Sequence, residues 1–170
     1  MTLGEHKMIE TQILIEQHKY ARGRLLKTLE EIEQSGIAKE AIHWSMPFGK
    51  GRAHIGWQML HCAATLDRYL NVRILQGQPR NAELVASYAG GSESNTDLIV
   101  TPQQIRMALE ETSPPYFDYF LNLKPEMLRE KPHAAADRTH LEILFLLNWH
   151  EAHHQGQCHI IWNSFKASQA

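Results

Sequence analysis

Helix start and stop signals divide this chain into four long segments, and they constrain its fold more than any other feature. No stretch of strand length alternates apolar and polar residues with a period of two, so we predict no β-sheet. The first helix is predicted over residues 5–34. Thr2 and Glu5 have capping-box spacing near its start, and Gly36 supplies a left-handed stop just beyond its end.

The second and third helices are marked by the same kinds of signal. The second is predicted over residues 53–76 and is ended by Gly77. The third begins at Thr101, a good N-cap residue that is followed by a first-turn proline, Pro102. The sequence SPP at residues 113–115 is predicted to kink this helix or to restart it, because proline cannot donate the backbone hydrogen bond of a helix interior.

The fourth helix is predicted over residues 139–165, with capping-box spacing at Thr139 and Glu142. Four long helices with long connections are typical of a four-helix bundle, in which metal and cofactor sites are built from side chains on facing helices. The fold is therefore predicted to be an all-α four-helix bundle, formed by one domain over residues 1–170.

Two connections are long. Residues 37–52 contain Pro47, Gly49 and Gly51, and we predict no regular element there. The polar residues 77–100 form a loop of unusual length for a compact domain, and part of it is either a mobile lid or a solvated excursion.

Composition excludes several classes of protein. The chain has 170 residues, 43% apolar and 21% charged, as is usual for a globular domain. A net charge of −2 without a basic cluster argues against a nucleic-acid partner or an anionic membrane surface. No apolar run approaches a membrane span, and the first residues lack the pattern of a secretory signal. With only two cysteines, a cytoplasmic location is expected.

The stretch NWHEAHHQGQCHIIW in the fourth helix concentrates histidines in an apolar segment. His150 and His154 lie about 40° apart on one helix face, whereas His153 and His159 point elsewhere. Two interpretations stay open. Each imidazole is hydrogen-bonded within the core, or His150 and His154 converge on a divalent transition metal, which needs neutral imidazoles about 2.0–2.1 Å away.

The letters HEAHH satisfy the zinc-protease motif H-E-x-x-H, but the context does not. The extended form of the motif requires glycine and histidine where this chain has Gln157 and Ile160, and no acidic residue follows Glu151. A protease is therefore disfavoured, and a third ligand must come from another helix. The second helix offers His54 and His61, about 10.5 Å apart along the axis, so that one ion can take only one of them. His54 lies at the helix start, where it could also cap the helix or form part of a rim.

The segment HIGWQMLHCAATLDRYL together with the downstream WHEAHHQGQ resembles the DinB/YfiT-like superfamily of proposed metalloenzymes. The resemblance implies that His61, His150 and His154 are metal ligands, and that Gln157 supports them from behind or packs beside them. It also implies a divalent metal such as zinc or nickel, homodimers, and activity as a transferase or isomerase that uses a low-molecular-weight thiol.

Two hypotheses of function follow. In the first, three histidines leave a coordination position open, and the protein is a metal-dependent transferase or hydrolase that activates a small thiol or water for a small-molecule substrate. Arg68 then holds a substrate carboxylate or forms a surface salt bridge, and Glu151 is a general base, orients a neighbouring group or meets solvent.

In the second hypothesis, the chain is a non-catalytic metal-binding module or a dimeric interaction module with a vestigial site. Phe145, Trp149, Ile160 and Trp162 surround the histidine face of the fourth helix, which predicts either a central position or a dimer interface for this helix. Cys62 and Cys158 are predicted to be small buried thiols rather than nucleophiles or ligands.

Overall fold

The structure is a computed structural model that describes residues 3–47, 53–94 and 100–169, with side chains from residue 11 onward. The prediction of an all-α fold is confirmed. The described residues form six α-helices rather than four. These are α1 (Leu3–Gln34), α2 (Ala38–His43), α3 (Ile55–Asp67), α4 (Ala82–Tyr88), α5 (Pro102–Leu121) and α6 (His140–Ser168), with a π-helix (Arg68–Ile74) continuing α3 and a 3-10 helix (Pro125–Arg129) before α6.

The two additional helices, α2 and α4, are short and lie in connections that were predicted to be irregular. Helix α2 ends at His43, four residues before Pro47. Asn81 is the N-cap of helix α4, and its side chain accepts a hydrogen bond from the backbone N–H of Leu84. Part of the predicted lid, residues 95–97, lies outside the described residues.

Most of the predicted helix ends are observed. Gly36 has a φ of +76°, which is the predicted left-handed stop after α1. Both capping boxes after residue 100 form, at Thr101 with Gln104 and at Thr139 with Glu142. The box predicted at Thr2 lies outside the described residues.

The end of the π-helix differs from the prediction. The regular helix ends at Ile74 rather than at residue 76, and Gln76 has a positive φ of 55°. Gly77 donates its N–H to the carbonyl of Asn71, six positions earlier, at 2.8 Å, which satisfies one of the last carbonyls of the π-helix. A Cβ atom at position 77 would lie 3.3 Å from the Asn71 carbonyl oxygen, so this close approach favours glycine there.

Helix α5 does not restart at its two prolines and is assigned as one helix from Pro102 to Leu121. Pro114 and Pro115 leave two carbonyls without an intrahelical donor, those of Glu110 and Glu111, which are exposed residues within reach of water. On the buried side, Ser113 donates its hydroxyl to the Leu109 carbonyl at 2.9 Å. The solvent-facing position of the missing bonds explains why the helix continues.

The long helices pack in a closed arrangement, in which α1 and α3 each contact both α5 and α6. Two buried apolar clusters occupy the two ends of the core. One contains Leu25, Met59, Leu109 and Trp162 among others, and the second contains Ile15, Leu70, Phe120 and Leu144. None of the described helices is both long enough and apolar enough to cross a membrane.

Between the two clusters lies a set of buried polar side chains, which we call the polar layer and define as His18, Arg22, Asn148 and Glu151. Arg22 donates to both carboxylate oxygens of Glu151, at 2.5 and 3.1 Å, and to the carbonyl of Leu109 at 2.7 Å. His18 Nδ1 donates to Asn148 Oδ1 at 3.2 Å. Burial lowers the pKa of His18 to about 4, so at pH 7 this imidazole is neutral and the layer carries one positive and one negative charge.

Alanine substitution should have opposite effects on stability at two glycines, one inside α1 and one just after its end. Gly23 is an exposed residue inside α1, and a Cβ atom added there would meet no other atom within 4 Å, so Gly23→Ala should raise the free energy of unfolding by about 0.5–1 kcal/mol. Gly36 has a positive φ, so Gly36→Ala should lower it by about 1–2 kcal/mol. Urea denaturation of both variants checks this, and equal effects of the same sign would contradict the assigned end of α1.

Candidate metal centre

Helix α6 presents His150 and His154 on one face, one turn apart. Their ring centroids are 4.4 Å from each other. His154 is buried and His150 is half-buried. The capping box at Thr139 fixes the start of α6, and the apolar clusters on either side of the pair hold the helix in the core.

The third imidazole, His61, comes from α3. Its ring centroid lies 4.8 Å from that of His150 and 4.7 Å from that of His154. One ligand atom from each of the three residues lies within 4.8 Å of the other two. The structure thus brings together the three histidines that the resemblance implied, and this group could hold a metal ion.

The outward-facing nitrogens of two of these rings are held by fixed acceptors. His61 Nδ1 donates to the backbone carbonyl of Tyr88 at 2.5 Å. His154 Nδ1 donates to the side-chain oxygen of Gln58. Since a neutral imidazole carries one proton, both rings keep an unprotonated Nε2, the form that binds a metal. Trp57 stacks on His61, with ring centroids 4.5 Å apart, and so limits rotation of that ring.

All three imidazoles are neutral at pH 7. Burial, followed by the neighbouring imidazoles, lowers the pKa of both His150 and His154 to about 3. Burial also lowers the pKa of His61. The Nε2 atoms of His61 and His150 are 2.9 Å apart, so His150 either donates a proton to His61 or shares a cation with it. An imidazole must be neutral in this way to bind a divalent metal.

A cavity of about 300 Å³ opens beside the histidines. His61, Thr65 and Arg68 line it from successive turns of the second long helix, α3 and the start of its π-helical continuation. Leu147 and His150 line it from α6. The cavity gives a small molecule access to two of the three histidines.

Gln157, which was predicted to support the clustered histidines from behind or to pack beside them, lies on α6 one turn after His153. Its amide donates to Nε2 of the exposed His153 at 2.7 Å and makes no hydrogen bond to the three clustered histidines. The residue that supports His154 from behind is Gln58, which sequence reasoning missed. The available signal was a polar residue one turn before His61 on an otherwise apolar helix, but its partner lies on another helix.

Three other histidines stay outside the group. His54 is the N-cap of α3, where its side chain accepts a hydrogen bond from the Trp57 N–H at 3.2 Å, so the capping alternative is the one observed. His153 is exposed and stacks on Trp149. His159 is exposed and accepts a hydrogen bond from Asn163 at 3.0 Å.

Glu151 belongs to the polar layer and is only 1% exposed, so the alternative in which it meets solvent does not apply. Both of its oxygens are engaged by Arg22. Cys62 and Cys158 are buried free thiols, as predicted, and burial raises the pKa of each. None of these three side chains is among the residues that line the cavity beside the histidines.

Long helices that bring three neutral imidazoles together beside a cavity define an all-α protein with a candidate metal centre. The sequence model of the DinB superfamily matches residues 17–158, a span that includes all three histidines. The chain therefore belongs to the DinB superfamily, and the resemblance drawn from the sequence is confirmed. No curated protein and no solved structure matches the chain.

Breaking the ion pair of the polar layer should destabilise this part of the core more than removing both of its charges. Arg22→Met leaves the Glu151 carboxylate buried without a cation and should cost about 3–5 kcal/mol in the free energy of unfolding. The double variant Arg22→Met/Glu151→Leu should recover most of this loss, because no charge stays buried. Urea denaturation of the two variants measures the difference.

The matched control is the exposed pair of Lys19 and Glu16, at 2.8 Å on the same helix. Lys19→Met should change the free energy of unfolding by less than about 1 kcal/mol. A single variant no less stable than the double variant would contradict the expected cost of leaving the Glu151 carboxylate buried without its cation.

Proposed function

We propose that this chain binds one divalent transition-metal ion through His61, His150 and His154. The observation that carries the proposal is the convergence of one ligand atom from each residue within 4.8 Å. The cavity on the side of His61 and His150 leaves room for at least one further ligand, which would be water or substrate.

The donor set fits such an ion. All three donors are imidazole nitrogens, which suit zinc and nickel better than magnesium or calcium. Tyr88 and Gln58 hold the Nδ1 protons of His61 and His154, and this arrangement orients metal-binding histidines in general. We therefore propose zinc or nickel as the metal.

A metal held by three imidazoles lowers the pKa of a bound water to about 7 or holds a bound thiol as thiolate. The chain itself contributes positioning. Leu146 and Leu147 give the cavity an apolar wall that limits the access of water, and Arg68 supplies a positive charge. We propose a metal-dependent transferase or hydrolase, with a low-molecular-weight thiol as co-substrate and a small molecule as acceptor. Two free cysteines suit the reducing cytoplasm in which such thiols are abundant.

A second candidate function is an interaction module, and an apolar stripe on α6 favours it. Phe145, Trp149 and Ile160 share one helix face and are 55%, 60% and 57% exposed. Large apolar side chains in a row on a surface are typical of protein interfaces. Trp162, the fourth residue on which an interface was predicted, is buried in the core instead. We propose that the stripe pairs with a second copy of the chain, as a homodimer, whether or not the centre is catalytic.

Metal content tests the first proposal. Protein purified without a histidine tag should contain about one zinc or nickel ion per chain by elemental analysis. Replacing His61, His150 or His154 singly with alanine should weaken metal affinity by roughly 100-fold or more, because each removes one of three protein ligands.

His153→Ala is the matched control, because His153 lies beside His154 but outside the group. This variant should keep its metal. Equal loss of metal in the control variant, or metal-free wild-type protein that does not take up zinc or nickel on addition, would refute the proposed centre.

Oligomeric state tests the second proposal. Sedimentation should show a dimer for the wild-type chain, and Trp149→Glu should shift it to monomer by placing a charge in the apolar stripe. Met107→Glu is the control, since Met107 is similarly exposed on α5, which packs on α1 and α3. A wild-type monomer, or the same shift in both variants, would contradict the proposed interface.

A further inference from the structure

The second long helix changes from α to π geometry at Arg68, within the wall of the cavity. Short π-helical segments are rare in proteins overall. Those that do occur are often found at functional sites. The residue before the change, Asp67, is buried and accepts hydrogen bonds from the backbone N–H groups of Arg80 and Asn81, at 2.8 Å each, and from the side chain of Asn71 at 2.6 Å. Its carboxylate is therefore engaged and is not paired with Arg68.

Arg68 itself is half-buried, and within the part of the chain that the structure describes it forms no ion pair. The surface salt bridge that was the alternative for this residue is not observed there. A guanidinium that is partly removed from water favours an anionic partner, because burial without one costs free energy. The cavity is the space in which such a partner would be accommodated.

The cavity has a different chemistry at each part of its wall. His61 provides a metal-binding nitrogen, and Thr65 and Arg68 follow it at intervals of four and three residues on the same helix. Leu146 and Leu147 provide an apolar surface on α6. A molecule that satisfies all three regions has a metal-binding group, a short apolar middle and an anionic end.

We infer that Arg68 is the anion-binding residue of this cavity and that the substrate or thiol co-substrate carries a carboxylate. The inference rests on the proposed function, because it takes the metal at His61 and His150 as the second point of attachment. The planar guanidinium matches a carboxylate with two parallel hydrogen bonds, which a lysine cannot reproduce. Residues 61 and 68 are about 10.5 Å apart along the helix axis, so the span between the two attachment points is limited and selects molecules by length.

Thiols of two lengths test the inference by binding, without an assay of activity. Tag-free protein loaded with cobalt(II) is titrated with 3-mercaptopropionate and 6-mercaptohexanoate, and with the neutral counterparts 3-mercaptopropanol and 6-mercaptohexanol. Thiolate-to-cobalt charge-transfer absorption reports binding at the metal. At least one carboxylate thiol should bind wild-type protein roughly 10- to 100-fold more tightly than its alcohol counterpart, as expected for a charge-assisted hydrogen bond.

Variants at position 68 test whether Arg68 causes the preference for a carboxylate thiol. Arg68→Gln should abolish the preference for carboxylate while the affinity for the neutral thiols stays unchanged, and Arg68→Lys should keep only part of the preference. Arg73→Gln removes an exposed arginine of the same π-helix and should behave like wild type.

The outcomes separate this inference from the proposed function. If both classes of thiol bind the cobalt protein equally well, or if Arg68→Gln keeps the preference, the role of Arg68 is overturned and the metal centre stands. If the wild-type protein binds no cobalt, or binds it without taking up any thiol, the proposed function fails and this inference fails with it. If Arg68→Gln does not fold, Arg68→Lys still tests the inference, because a full carboxylate preference in that variant would overturn the role of Arg68.

Discussion

The ion pair between Arg22 and Glu151 is the contact on which the geometry of this bundle depends. Apolar side chains tolerate displacement of one helix along another, whereas a buried carboxylate requires its cation at hydrogen-bonding distance. Arg22 meets Glu151, and His18 meets Asn148, in a single register of α1 against α6. We interpret the polar layer as the element that fixes this register. In this interpretation it also sets the position along the bundle axis at which the α6 histidines face α3.

Three faces of helix α6 lie in three different environments. Asn148 and Glu151 face α1, and the histidine pair faces α3. The apolar stripe that contains Trp149 faces solvent. This division explains why α6 is apolar on several sides without being uniformly buried. It also keeps the charged pair and the candidate metal centre on different sides of the same helix, so that a cation would be bound by neutral ligands while Glu151 stays paired with Arg22.

Local signals in the sequence predicted the four long helices and two of the three histidines of the candidate centre. Capping residues and the spacing of His150 and His154 are properties of a single segment, so a single segment reveals them. Choosing His61 over His54 needed the resemblance to a known superfamily. Gln58 and Arg22 were missed because their partners lie on other helices, and the π-helix and the left-handed Gln76 were missed because neither has a local sequence signal.

The connection before α5 contributes to the candidate metal centre. Its composition did not indicate this contribution. Tyr88, the last residue of the short helix α4, supplies the carbonyl that fixes the tautomer of His61, and a Cβ atom placed on Gly90 would lie 3.9 Å from that ring. The loop thus orients one histidine of the candidate centre, His61, while α6 carries the two others. Because the cavity opens between these two supports, a molecule entering it contacts the ring whose orientation depends on the loop. Gly90 of the polar connection is thus part of the wall of the cavity.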